Sequence, residues 1–141
     1  MIRVVLDTNV LISATFWTGT SFCVFQLVEQ GSLILILSKE ILQEYDEIVH
    51  SDEIVQKPAY QQERISAVKK VLELATLVEP QQRITVIKED PDDDKFLEAA
   101  VEGKATHLIS QDKKHILPIK EFHGIKIVTP EEFLAIFKES Q

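Results

Sequence analysis

Ile2-Arg3-Val4-Val5-Leu6-Asp7-Thr8-Asn9-Val10-Leu11-Ile12-Ser13 is the stretch on which the fold turns. Ile2 to Leu6 is a short, largely β-branched apolar run, the pattern of a buried strand. An acid follows it directly, and a helical pattern begins at about Val10. A buried strand that passes at once into a helix opens an α/β unit, and the remaining chain repeats that alternation.

Ser21 to Gln30 is helical, with Phe22, Phe25 and Val28 apolar, and Gly31 stops it. Leu33 to Leu37 is a second buried strand. Ser38 reads as the N-cap of Lys39 to His50, whose apolar stripe is Ile41, Leu42, Tyr45, Ile48 and Val49. Ser51 to Pro58 is a polar break. Tyr60 to Ala75 is helical again, with Ile65, Val68, Leu72 and Ala75 in step, and Pro80 closes that region. Ile84-Thr85-Val86-Ile87 reads as a strand. Asp90 as cap and Pro91 at the first helical position open a helix carrying Phe96, Leu97, Ala100 and Val101 up to Gly103. His107 to Ser110 and Ile125 to Val128 are further strands. Thr129-Pro130 caps a last helix with Phe133, Leu134 and Phe137 inward. Strands separated by helices imply right-handed crossovers and a mainly parallel sheet. The expected architecture is a three-layer α/β/α sandwich with five strands.

The 141 residues, 45% of them apolar, suit a single domain spanning 1–141. A chain of this size buries roughly 70% of its unfolded surface, so it folds without disulfides or a structural metal. Cys23 is the single cysteine, which excludes an internal disulfide and a cysteine-based zinc site and favours a reducing, cytoplasmic setting. No apolar run approaches the ~20 residues of a membrane span, and Asp7 comes too early for a signal peptide. A net charge of −8 argues against gripping nucleic acid by bulk charge. It leaves room for a local acidic site that a cation neutralises.

Parallel sheets bind ligands beyond the carboxyl ends of their strands, so the residues there carry the functional argument. Asp7 follows the first strand, where it reads equally as a cap for the helix behind it. Asp112 follows Leu108-Ile109-Ser110 by two residues, where it also reads as a turn residue ahead of Lys113-Lys114. Glu44 shares the helix side of Ile41 and Ile48, and a carboxylate beside a core-facing stripe needs a partner, a cation or a path to water. In Glu89-Asp90-Pro91-Asp92-Asp93-Asp94, acids suit the first turn of a helix. Asp93 nonetheless shares the inward face of Phe96, Leu97 and Ala100, whereas Asp92 and Asp94 point more sideways. A calcium loop beginning at Asp90 fails, because Lys95 and Val101 stand where that loop needs Gly and Glu.

Asp7, Glu44, Asp93 and Asp112 thus reach one sheet edge from four segments. Like charges gathered so closely call for cations. Oxygen donors select hard ions, Mg²⁺ or Mn²⁺, and their natural chemistry is phosphate-ester cleavage. The four histidines (His50, His107, His115, His123) are scattered and are given no catalytic role, only surface or strand-packing positions.

Leu6-Asp7-Thr8-Asn9-Val10-Leu11-Ile12-Ser13 resembles the opening motif of PIN-domain nucleases. Ser38 to Tyr45 is similar to their second motif, with Glu44 as its acid. Asp90 to Ala100 is similar to the third, in a register that selects Asp93. His107 to Asp112 is similar to the fourth. The tail from Gly124 to Leu134 resembles the subgroup of toxin components of toxin–antitoxin systems. The resemblance implies an α/β/α fold and an Mg²⁺- or Mn²⁺-dependent endoribonuclease acting on RNA. It also implies a homodimer and neutralisation by a cognate antitoxin. It makes Asn9 and Ser110 the polar residues that orient the carboxylates. Lys39, Lys95, Lys113 and Lys114 lie near motif segments and are candidates for holding RNA phosphates.

Phosphotransfer domains are the enzymatic rivals. Phosphatases of the haloacid-dehalogenase kind need Asp-x-Asp after the first strand, where this chain has Asn9 at the second position. A receiver domain needs a phosphoacceptor Asp after a middle strand, and Ser38-Lys39 follows Leu33 to Leu37. No glycine-rich phosphate loop is present. The non-enzymatic rival is a binding module that keeps the fold without turnover, against which the intact set of four acids stands.

Overall fold

The computed structural model describes residues 1–16, 19–50 and 61–139. The polar break expected at Ser51–Pro58, and Tyr60, lie outside them. The elements in chain order are β1 (Ile2–Leu6), α1 (Thr8–Phe16), α2 (Thr20–Glu29), β2 (Leu33–Ser38), α3 (Lys39–Val49), α4 (Gln61–Leu74) and β3 (Ala75–Val78). After a 3-10 turn at Pro91–Asp93 come α5 (Asp94–Glu102), β4 (His107–Ile109), β5 (Glu121–Phe122), β6 (Ile125–Val128) and α6 (Pro130–Glu139).

The strands form one six-stranded sheet in the order β3-β2-β1-β4-β6-β5. All pairings are parallel except the short β5 against β6. The central strands bury both faces: Val4, Val5, Leu6, Leu35, Ile36, Leu37, Leu108 and Ile109 are fully buried. That explains why these runs read as continuously apolar rather than alternating. From β1 the chain steps to β2 and β3 on one side, then returns across the sheet to β4. Right-handed crossovers therefore place α5 on the face opposite α1 and α2, giving the three-layer sandwich. α5 packs across β1, β2 and β4, while α2 contacts α1 and α6. The reversal between β1 and β4 is the topological switch point, where open α/β sheets bind ligands. Leu6 pairs with Ile109 there, and the Asp7 amide donates to the Ile109 carbonyl at 3.1 Å. The residues leaving both strands are therefore level.

Three sequence expectations need correction. Ile84–Ile87 is not a strand. Its amides are taken by acids on α5: Ile84 donates to Glu98, and Val86 and Ile87 both donate to Asp94. The Gln81 amide donates to Glu102 in the same way. Asp94, Glu98 and Glu102 lie at i, i+4 and i+8, one helix row that replaces a strand partner. The sheet edge instead belongs to β3, whose Ala75 was read as the end of a helix; it pairs with the open side of β2 from Leu35 to Ser38. With β5 added, the strands among the described residues number six, not five.

Caps behave mostly as read. The Ser38 hydroxyl accepts from the Ile41 amide at 3.3 Å. Thr129 and Glu132 exchange side-chain-to-amide bonds at 3.1 and 3.3 Å, a capping box for α6. Asp90 is the exception, since its side chain makes no cap bond. Gly103 ends α5 hard against β2: a Cβ there would stand 2.4 Å from Cγ2 of Ile36. No single helix among the described residues is long and apolar enough to cross a membrane.

Candidate metal centre

Asp7 is 4% exposed and does two jobs. Its Oδ1 accepts from the Val10 amide at 2.8 Å, which caps α1, and its Oδ2 accepts the Ser110 hydroxyl at 2.5 Å. Ser110 is fully buried, and its Oγ also accepts from the Asp112 amide at 2.9 Å. One hydroxyl therefore ties the end of β1 to the turn after β4. Asp112 likewise divides its oxygens. Oδ1 accepts from the Lys114 and His115 amides, both at 3.0 Å, as a turn aspartate does. Oδ2 lies 3.6 Å from Nδ1 of His115. The capping and functional readings of these two acids are compatible because a carboxylate has two oxygens.

Glu44, on α3, accepts the Thr8 hydroxyl on Oε1 and the Lys95 ammonium on Oε2, the latter at 2.6 Å. Lys95 also donates to the Asp92 carbonyl at 3.0 Å. Asp93 is half-buried at the start of α5. Asp7, Asn9, Glu44, Asp90, Asp93 and Asp112 line one cavity of about 200 Å³ over the switch point. All four expected acids thus meet. The neighbouring Asp94 is 4% exposed and points elsewhere, onto the Val86 and Ile87 amides at 3.1 and 2.9 Å. Of the two, Asp93 lines the cavity and Asp94 does not.

The charges of these acids oppose one another. Burial raises the pKa of Asp7, and the Asp112 charge adds to it, against the lowering effect of the Ser110 and backbone hydrogen bonds. Asp93 is pushed up to about 6, by burial first and then by the charges of Asp90 and Asp112. Lys95 opposes that rise and Glu44 adds to it. Ligand atoms of Asp90, Asp93 and His115 all lie within 4.8 Å of one another. Acids whose ionised forms are disfavoured first by burial and then by one another, with Asp90, Asp93 and His115 donor atoms close together, fit a divalent cation.

The profile of a family described as PIN domain matches residues 3–114. The chain belongs to the PIN-domain family. Solved structures carry the same fold. VapBC2 from Rickettsia felis, bound to a DNA fragment from its promoter, contributes a chain with TM-score 0.59 at 12% identity. That match covers 89% of this chain and 97% of the other. PAE2754 from Pyrobaculum aerophilum gives TM-score 0.60 at 13% identity, covering 99% and 98%. No curated protein matches the chain.

Several residues of this PIN domain sit differently from the sequence reading. The Ser110 hydroxyl bonds Asp7 and the Thr8 hydroxyl bonds Glu44, while Asn9, the other polar residue the sequence singles out, is exposed in the cavity lining. Lys39, Lys113 and Lys114 are exposed. Lys95 is not available as a surface phosphate contact: it is 9% exposed and held by Glu44. Asp90, which the sequence places as a cap, and His115, given only a surface or strand-packing position, both lie beside Asp93. The one signal for His115 was its place three residues after Asp112, within the same turn.

Proposed function

We propose that this PIN domain is a metal-dependent endoribonuclease that hydrolyses RNA phosphodiester bonds as the toxin of a toxin–antitoxin pair. The carrying observation is the convergence of Asp7, Glu44, Asp93 and Asp112 on one cavity at the sheet's switch point. Mg²⁺ or Mn²⁺ would be held by Asp7, Asp93 and Asp112, with Asp90 and His115 beside Asp93. A divalent ion there supplies Lewis acidity toward water and charge neutralisation at phosphate. The chain's own contribution is placement. Ser110 and the Val10 amide fix both oxygens of Asp7, and the turn amides fix Asp112. In the overall reaction water adds to phosphorus and the bond to the 3′ oxygen breaks, leaving a 5′ phosphate and a 3′ hydroxyl.

Lys113, Lys114 and Lys39, exposed near the motif segments, are the proposed RNA phosphate contacts. A cognate antitoxin protein and a homodimer complete the proposal, with a cytoplasmic location to match. Family resemblance and the VapBC2 neighbour support the antitoxin. The test is cleavage of a generic single-stranded RNA with Mn²⁺ or Mg²⁺. Cleavage lost in chelator and on Asp7→Asn is expected. RNA binding without cleavage under all these conditions would replace the nuclease with a binding module.

A further inference from the structure

Among the described residues, Glu44 alone of the four acids is paired with a permanent cation. Lys95 reaches it at 2.6 Å and is itself 9% exposed, with its ammonium 5.1 Å from the centre of the Phe96 ring. The ammonium also donates to the Asp92 carbonyl at 3.0 Å, which anchors the head group at the start of α5. Asp7 is different: its two oxygens meet backbone amides and a hydroxyl, neutral donors that bring no compensating charge. Ligand atoms of Asp90, Asp93 and His115 come within 4.8 Å of one another, a trio that includes none of Glu44, Asp7 and Asp112.

We infer that Lys95 is the resident cation on the Glu44 side of the site, so that the domain binds one divalent ion per chain, on the Asp7–Asp93–Asp112 side. An ion bound directly to Glu44 would sit against a fixed ammonium in a partly buried setting, where like charges repel strongly. Glu44 therefore answers to Lys95 rather than to a second ion. This rests on the metal reading of the site and narrows it. Lys95 acts as a positioning residue: it sets how many ions the acids accept.

The experiment counts Mn²⁺ ions on the full chain by isothermal titration and by loss of the free Mn²⁺ paramagnetic resonance signal, without RNA. Wild type is expected to bind one ion and Lys95→Gln two, with Lys95→Arg returning to one. The double variant Glu44→Gln/Lys95→Gln removes the pair together, so no buried charge is stranded. It is expected to bind one ion within about threefold of the wild-type Kd, less than half the 1.4 kcal/mol of a tenfold change. Two ions on wild type, or one on a folded Lys95→Gln, overturns the inference alone. So does a double variant weakened by about tenfold or more, which makes Glu44 a direct ligand. No Mn²⁺ binding by wild type overturns the metal reading itself, and this inference with it.

Discussion

Ser110 and Asp7 are 103 residues apart in the chain and share a buried hydrogen bond of 2.5 Å. The bond exists because β1 and β4 are adjacent and in register, Leu6 opposite Ile109, so that the next residue on each strand comes level. The sheet topology thus builds the candidate site before any helix contributes.

Ser110→Ala leaves Oδ2 of Asp7 and the Asp112 amide without their shared hydroxyl. Partners that orient ligating groups typically carry about 10–100-fold in metal affinity or activity. A fall of that order in Mn²⁺-dependent RNA cleavage is expected, with a stability loss of about 1–3 kcal/mol in urea unfolding. An unchanged rate would mean that Asp7 is held well enough by its backbone amides alone.

Asp93 and Asp94 exchange roles in no obvious way from the sequence, yet their environments separate them. Asp94→Ala strands the Val86 and Ile87 amides, the latter buried, and is expected to cost about 2 kcal/mol. Its Mn²⁺ affinity should stay at the wild-type value. Urea midpoints and Mn²⁺ titrations on Asp94→Ala and Asp93→Asn check this together. Metal binding lost in the first and kept in the second would reverse the assignment.

Most of this fold is legible in the chain because the central strands are buried on both faces and advertise themselves as unbroken apolar runs. Ile84–Ile87 advertises the same thing and is no strand, because its partners are carboxylates on α5. Periodicity reports that a segment is extended and apolar; it does not report what accepts its hydrogen bonds. Edge strand β3 was missed for the complementary reason: Thr76 and Leu77 are exposed, so Ala75–Val78 carries no burial pattern. At the site, the four acids were visible from strand ends and helix faces. The Lys95–Glu44 pair was not, since it joins residues 51 apart on different helices. His115 and Asp90 depend on a turn geometry that short polar residues do not specify.

Gly103→Ala tests how tightly α5 is pressed onto β2. The added methyl would meet Cγ2 of Ile36, a fully buried side chain, at 2.4 Å. Overpacking of this kind costs about 1–3 kcal/mol. The φ of −83° is open to alanine, so strain at the backbone is not the cause. Combining it with Ile36→Ala should give a stability loss smaller than the sum of the two singles, the coupling expected of residues in contact. Strict additivity in urea unfolding would place the clash elsewhere.

Lys113 and Lys114 are exposed beside Asp112, on a chain whose overall charge of −8 repels RNA. Replacing both with alanine should weaken single-stranded RNA binding. It should also lower the slope of log K against log salt by about 1.4, at roughly 0.7 per phosphate contact. Fluorescence anisotropy across a salt series measures it, and an unchanged slope would move the RNA path off this turn.

Asp93 gives the site a pH signature. Its ordinary value is 3.8, and in the fold it is pushed up to about 6, by burial and by Asp90 and Asp112. Below 3.8 both folded and unfolded forms hold the proton, and the group imposes no penalty. As pH rises toward 6 the unfolded chain has released a proton that the fold retains, so stability falls with pH. Above 6 the ionised, repelled carboxylate imposes its full penalty; the raised Asp7 acts in the same direction. Asp93→Asn should therefore melt above wild type at pH 8 in chelator, and the margin should close as pH falls toward 4. Mn²⁺ reverses the order, because it binds the folded site and stabilises wild type by about 2.7 kcal/mol at a hundredfold excess over Kd. The variant, short of one ligand, gains less. Melting curves of both proteins at pH 8 and pH 5, with chelator and with Mn²⁺, decide the matter. A variant that melts below wild type in chelator and gains equally from Mn²⁺ would make Asp93 a helix-start residue, and the cluster would lose the acid around which Asp90 and His115 gather.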